Sequence, residues 1–458
     1  MSASHGTTPN DSNGLKASQS SLAGLSWLNF LTALMLTGFG TFLVVYLTNH
    51  QWSRTDIGFA LSAGTVAGMA FQVPGCMLVD WLPSKRFAAA GGVFAIMAAS
   101  VLIAVAPWPG PVFAAQALQG LGASVLTPAI AALTLALARR DMLGERFGRN
   151  VRFAAIGSAL AAAITGLVGA WLSLQIMFLL AAFCAVPCLV AIFRIREADL
   201  EVAPLRSGHA AVTDPHHHVV PPKRVMQVAR DPALLVFAGC LALFQFGNAG
   251  LLPTAAGGLA RGLSQLTELR LPGIWPFPSV VSLDRADLLV GAWIVVPQLL
   301  AALLSPWLGR YAQLHGRRQV LLIGFGMLPL RALLFATTTS PVAVVAYQML
   351  DGISAAVLGI MTPLVVADIT QRGGRFNLAI GIVGLVSGIG GALSTAVAGT
   401  LADQVGDIGT FIALGAAGLS ACLLLAVAMQ ETHIHSRRRP ANGQHPAGAT
   451  GHGPPSGR

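Results

Sequence analysis

Apolar residues run along this chain in stretches of about 20 or more, separated by short polar segments that carry most of its charge. Twelve such stretches can be drawn. Six lie at about 24–48, 57–80, 87–107, 111–138, 152–173 and 174–193, and six at about 233–256, 286–308, 319–339, 341–368, 376–401 and 408–430. A hydrocarbon core about 30 Å thick is crossed by roughly 20 helical residues, so these lengths fit membrane-spanning helices. A short window such as IAALTLALA could pass for a buried strand, but the length of the run around it decides for helix. Within lipid the backbone must satisfy its own hydrogen bonds, which again selects helices. The pattern predicts an all-α integral membrane protein of twelve transmembrane helices in two six-helix bundles, 24–193 and 233–431, joined by a basic loop at 194–232. The ends, 1–23 and 432–458, are rich in Ser, Gly, Pro, His or Arg and are expected to be disordered.

Composition narrows the class. Of 458 residues, 54% are hydrophobic and 10% are charged, whereas a soluble domain carries about 25% charged residues. So little charge cannot hydrate the surface of several soluble domains. The net charge of +10 would raise nucleic acid as a partner if the basic residues formed a patch. They are instead sorted by side. With both termini placed in the cytoplasm, 23 of the 28 Lys and Arg fall in cytoplasmic segments, and only Arg54, Arg261, Arg270 and Arg285 fall outside. This asymmetry orients a multi-pass protein of a plasma (bacterial inner) membrane, its basic face meeting anionic lipid, with no nucleic acid implied. The first stretch is too long for a signal peptide and is expected to be retained. The five Cys all lie in apolar stretches, and none of the eleven His does, so no metal or other cofactor is expected; His216 to His218 and the tail residues His433, His435, His445 and His452 read as solvated linker, the alternative being a metal-collecting loop. The segment 257–285, with Pro272 to Pro278, reads as a tolerated insertion or as a partial lid.

The two halves resemble each other. Lys85-Arg86 matches Arg317-Arg318 at an offset of 232, and Gln116-Ala-Leu-Gln119-Gly120 matches Gln348-Met-Leu-Asp351-Gly352 at the same offset. Parallel repeats of this kind are related by an axis along the membrane normal. The second copy of the loop reads Gly309-Arg-Tyr-Ala-Gln313-Leu-His-Gly316-Arg317-Arg318. These residues resemble the major facilitator superfamily, whose loop signature is G-x-x-x-D-x-x-G-R-[RK]. The likeness covers the whole membrane region. Gln313 replaces the acid in the second copy. The first copy keeps Asp80, Lys85 and Arg86 but has Cys76, Pro83 and Ser84 in place of two glycines and an arginine. The resemblance implies a charge latch that opens and closes between the halves. The alternative is that these cations only set topology. On the fourth stretch Gln116 stands where the family's R-x-x-Q-G-x-G pattern has arginine, and the fifth lacks the proline of the exporter pattern.

Charged groups deep in a bilayer are costly and usually functional. Arg331 and Asp351 are the two such residues here. Counting about 1.5 Å per residue puts them at similar depth on adjacent helices, and they are expected to pair. Three roles stay open: a structural ion pair, a coupling switch operated by protonation of Asp351, and capture of an anionic substrate by Arg331. Thr37, Gln72, Gln116, Gln119, Gln245, Asn248, Gln298 and Gln348 are expected to line a mostly apolar cavity, though each could instead bond between helices.

The resemblance implies a monomeric secondary transporter working by alternating access on a small-molecule substrate. Efflux of an organic solute is the favoured direction. A proton-coupled uptake symporter is the runner-up, and a membrane sensor or scaffold is the reading from another class. No G-x-S-x-G or nucleotide-binding loop occurs, and no enzyme activity is expected.

Overall fold

A computed structural model of the chain describes residues 17–37, 43, 46–47, 50–168, 174–201, 227–255, 285–338, 340–370 and 375–431. The 257–284 part of the outer segment, His216 to His218 and the His residues of the tail lie outside the described residues.

The chain is built of helices. The first half holds α1 (Gln19–Thr37), α2 (Arg54–Trp81), α3 (Lys85–Val105), α4 (Pro109–Leu137), α5 (Leu143–Val168), α6 (Leu174–Phe183) and α7 (Ala185–Phe193), followed by the short α8 (Glu197–Glu201). The second half holds α9 (Pro232–Asn248), α10 (Arg285–His315), α11 (Arg317–Ala336), α12 (Pro341–Thr370) and α13 (Phe376–Ala428). Nine helices among the described residues are long and apolar enough to cross a membrane.

Local chemistry sets several boundaries. Ser53 caps α2 by accepting from the Asp56 N–H at 3.1 Å, and Asp231 caps α9 by accepting from Ala233 at 2.9 Å, with Pro232 at the first helical position. The sixth apolar stretch is divided into α6 and α7. Pro187 has no N–H to return to the Phe183 carbonyl, and the ladder breaks there. The eleventh and twelfth stretches form one run, α13, broken at Gly406 with φ 75° and ψ 174°. A residue without Cβ takes that conformation without strain.

Within the first half, α2 and α3 pack on α4, and α1 packs on α5. Within the second, α12 packs on α10 and α11, while α13 packs on α9 and α11. Each half has its own apolar core. Leu25, Ile96 and Ile192 belong to the first, and Phe237, Phe325 and Phe335 to the second. The second core also takes in Phe147 and Ala155 of α5, although that helix packs on α1 of the first half. Large apolar side chains also face outward, among them Phe94, Leu303 and Val427. In water such a surface would aggregate, and in a bilayer it faces lipid.

One end of the bundle gathers basic residues, the loops after α2 and α10 and the described ends of the chain. Ser18 and Ser21 donate to Asp199 Oδ2 at 2.6 and 2.7 Å, which fastens α8 to the start of α1. Arg86 adds an ion pair to Glu197 at 3.2 Å and lies over the Phe193 ring. We refer to this as the basic end.

Candidate functional site

The halves meet along two seams near the basic end, α2 against α13 and α5 against α10. In the first, Asp80 Oδ1 accepts from Asn377 Nδ2 at 2.5 Å and the carboxylate also accepts from the Leu378 backbone N–H. A carboxylate there meets the unpaired N–H groups and the positive pole of the first turn of α13. In the second seam, Gln313 donates from Nε2 to the Arg140 carbonyl at 2.9 Å, just ahead of α5, and accepts from Arg317 Nη1 at 2.6 Å. Glycines allow backbone to touch backbone. Gly309 and Gly144 face each other, Gly148 lies on the Ser305 carbonyl, and Gly381 lies on Cys76 and the Gln72 carbonyl.

These contacts repeat with the halves exchanged. Adding 233 to Gln72, Asp80, Gly144 and Gly148 gives Ser305, Gln313, Asn377 and Gly381. The Gln72–Gly381 contact therefore returns as Ser305–Gly148, and Asp80–Asn377 returns as Gln313 beside Gly144. Two seams related in this way are what a duplicated bundle produces when its copies pack about a common axis.

The cations of the loops act mostly within their own halves, contrary to a simple latch of arginine across the seam. Lys85 Nζ turns back to the carbonyls of Val79 at 2.5 Å and Leu82 at 3.1 Å, so it closes the last turn of α2. Arg86 is held by Glu197 as described. Arg317, buried, pairs with Asp368 at 3.2 Å, and Arg318 donates to the Ala426 carbonyl. Gly316, with φ 99°, precedes α11, and the Glu431 carboxylate fills the space a side chain would take. That carboxylate accepts from the N–H groups of Arg317 at 2.8 Å and Arg318 at 3.1 Å. Among the described residues a charge pair that crosses the seam is Arg310 with Glu145 at 2.8 Å.

Farther along, Arg331 of α11 and Asp351 of α12 form an ion pair through Nη1 and Oδ1. The second guanidinium nitrogen, Nη2, donates to Asn248 Oδ1 of α9 at 2.5 Å, and the cation lies 5.9 Å from the Phe335 ring centroid. Gln348 Nε2 approaches Asp351 Oδ2 at 3.4 Å, a long contact for a hydrogen bond. The arginine side chain is 3% exposed and the aspartate 27%. Both terminal nitrogens of Arg331 are thus engaged inside the protein, which weighs against its capturing an anionic solute. The carboxylate is the more accessible member.

The other cavity candidates divide into two groups. Thr37 donates to Ser158 Oγ at 2.9 Å, between α1 and α5, and Gln116 Nε2 reaches the Ala60 carbonyl of α2 at 3.3 Å. Gln72 sits in the α2–α13 seam beside Gly384. These three link elements. Gln119, Gln245 and Gln298 are partly exposed and their side chains hold no hydrogen bond to a described residue. Among the described residues no three His, Cys, Asp or Glu side chains come together as a metal site. Sequence reasoning missed Asn377, Glu145, Asp368 and Glu431. Only Asn377 and Glu145 carried a signal, as polar residues in the first turn of a helix.

Comparison with known proteins gives the family. The Major Facilitator Superfamily model matches residues 25–283 and 274–454. The uncharacterized MFS-type transporter Rv2456c of Mycobacterium tuberculosis is 31% identical over 423 residues, covering 92% of this chain and 96% of that protein. Its counterpart MT2531 in another strain gives the same figures. Among solved structures, the fucose:proton symporter FucP of Escherichia coli aligns with TM-score 0.62 and 14% identity over 89% of this chain and 98% of its own. The human organic anion transporter MFSD10 aligns with TM-score 0.65 and 16% identity over 91% of this chain and 100% of its own. The chain belongs to the major facilitator superfamily, and it has the fold of that family's transporters. Members of the family are transporters rather than enzymes.

Proposed function

We propose that this protein is a secondary transporter that moves a small organic solute by alternating access, in the direction of export. The reading takes twelve membrane crossings, both termini in the cytoplasm and a monomer in an inner membrane whose anionic lipids meet the basic end. The observation that carries it is the pair of exchanged seams. Asp80–Asn377 and Gln313–Arg140 close the same end of the bundle through a few polar contacts and glycine surfaces. Contacts of that size can be broken and remade as the halves rock. The unengaged amides of Gln119, Gln245 and Gln298 suit an amphipathic solute held by few polar contacts. Cells with and without the protein are compared for solute accumulation, each with and without a proton uncoupler. Lower, energy-dependent accumulation in cells that carry the protein supports export. No energy-dependent difference for any solute class refutes transport.

A second reading, proton-coupled uptake, is favoured by the Arg331–Asp351 pair. A carboxylate paired inside the membrane region and still partly exposed can take up a proton and release its partner. In either direction the proton would be the coupling ion and Asp351 its site. Higher, uncoupler-sensitive accumulation in the same cells identifies uptake.

A further inference from the structure

A proton that lands on Asp351 creates two problems in a medium of low dielectric. The neutral carboxyl carries an O–H that needs an acceptor, and Arg331 loses its counter-charge. The groups around the pair supply an answer to each. Arg331 keeps the Asn248 Oδ1 bond at 2.5 Å and the face of Phe335 at 5.9 Å. For the carboxyl, the adjacent group is the Gln348 amide. Its Nε2 lies 3.4 Å from Asp351 Oδ2, and its Oε1 is buried with no hydrogen-bond partner among the described residues. A buried acceptor left without a donor is expensive, and this one sits on the same planar amide that already faces the carboxylate. Half a turn about the last side-chain torsion of Gln348 exchanges N–H for oxygen at that place.

We propose that Gln348 is a positioning residue for proton binding at Asp351. When Asp351 is charged it is held by Arg331 and faces the amide N–H. When it is neutral its O–H donates to Gln348 Oε1, and the carboxyl is detached from the guanidinium, which keeps its Nη2 bond to Asn248. The proton comes from water at the exposed part of the Asp351 side chain and returns to it. No other reactant is needed. Among the described residues the titratable groups on α12 and on the helices packed against it near this depth are Arg331 on α11, Tyr347 on α12 itself, Cys240 on α9 and Cys422 on α13. Of these only Arg331 contacts the carboxylate. The first half has Gln116 and Gln119 at the places of Gln348 and Asp351. The Gln116 oxygen is likewise without a partner among the described residues, but Gln119 stands where the acid would be, so the device belongs to the second half.

The inference rests on the reading of Asp351 as the coupling site and is tested apart from it, without knowledge of the solute. Infrared difference spectra between high and low pH are recorded on the purified full-length protein in lipid vesicles, for wild type, Asp351→Asn and Gln348→Met. Wild type is expected to show the carbonyl band of a protonated carboxyl, which Asp351→Asn removes. In Gln348→Met that band moves to higher frequency, and about fivefold to tenfold more protons are needed to half-develop it. This follows because the neutral form loses a hydrogen bond worth about 1 kcal/mol, while the long contact to the charged form contributes little. If the band and its midpoint are unchanged in Gln348→Met, the role of Gln348 is overturned and the coupling site stands. If Asp351→Asn removes no band, both fall. Should Gln348→Met not fold, the wild-type band decides: at the frequency of a carboxyl with a bonded O–H it supports the inference, and at that of a free carboxyl it overturns it.

Discussion

Arg331 and Asp351 share an ion pair but not an environment: the guanidinium is sealed behind the carboxylate, 3% exposed against 27%. Removing one partner leaves the other without its counter-charge, a loss smaller than that of a fully buried pair because Asp351 is partly exposed and Arg331 keeps Asn248 and the Phe335 face. Arg331→Met and Asp351→Asn are each expected to lower the thermal unfolding temperature of the purified protein. The double variant should lose clearly less than the sum of the two. Additive losses would mean that the pair contributes nothing as a pair.

Asp80 holds the start of α13 from the opposite half. Asp80→Ala should therefore favour states in which the basic end is open. Cys76 is buried one turn away, against Gly381 in the same seam, and it reports on that opening. In a protein retaining Cys76 alone, maleimide labelling should be about fivefold faster with Asp80→Ala, as expected for the loss of a helix-terminus contact worth about 1 kcal/mol. Equal labelling rates would remove Asp80 from the gate.

Gly309 leaves no room for a side chain, because a Cβ there meets the carbonyl of Gly144. Gly309→Val is expected to abolish transport by wedging the α5–α10 seam. Gly399 of α13 has open space around it, and Gly399→Ala should raise stability by about 0.5–1 kcal/mol through helix propensity. Transport by the Gly309→Val protein at the wild-type rate would show that this seam need not close.

Arg310 and Glu145 cross the seam, but on the surface, at 66% and 37% exposed. Such pairs contribute little, because water and salt screen them. Glu145→Gln is expected to leave the thermal unfolding temperature nearly unchanged and to speed Cys76 labelling less than Asp80→Ala does. A larger effect than that of Asp80→Ala would reverse the order of importance of the two seams.

How much of this was legible in the sequence differs between features. Two lone charges in long apolar runs stand out, and a rise of 1.5 Å per residue suffices to set Arg331 and Asp351 at one depth. The spacing of the duplicated loop likewise marked Asp80 and Gln313. Their partners were not readable, because Asn377 lies 297 residues from Asp80 and no local pattern spans that distance. The family resemblance implies a latch between halves for Lys85 and Arg86, the alternative being that they only set topology. Lys85 instead finds unpaired carbonyls one turn away, and Arg86 finds Glu197 at the start of the connecting loop. The split at Pro187 and the kink at Gly406 follow from residue types visible in the sequence. Apolar periodicity alone does not weigh them.

The two seams are related by a repeat but are not made of the same material. The α2–α13 seam is joined by a part-buried carboxylate and amide, and the α5–α10 seam adds an ion pair exposed to solvent. Mobile ions screen charges in water far more than charges inside protein. Raising the ionic strength therefore weakens the exposed pair and leaves the Asp80 contact, so any salt dependence in the opening of the basic end belongs to the α5–α10 side and not to α2 and α13.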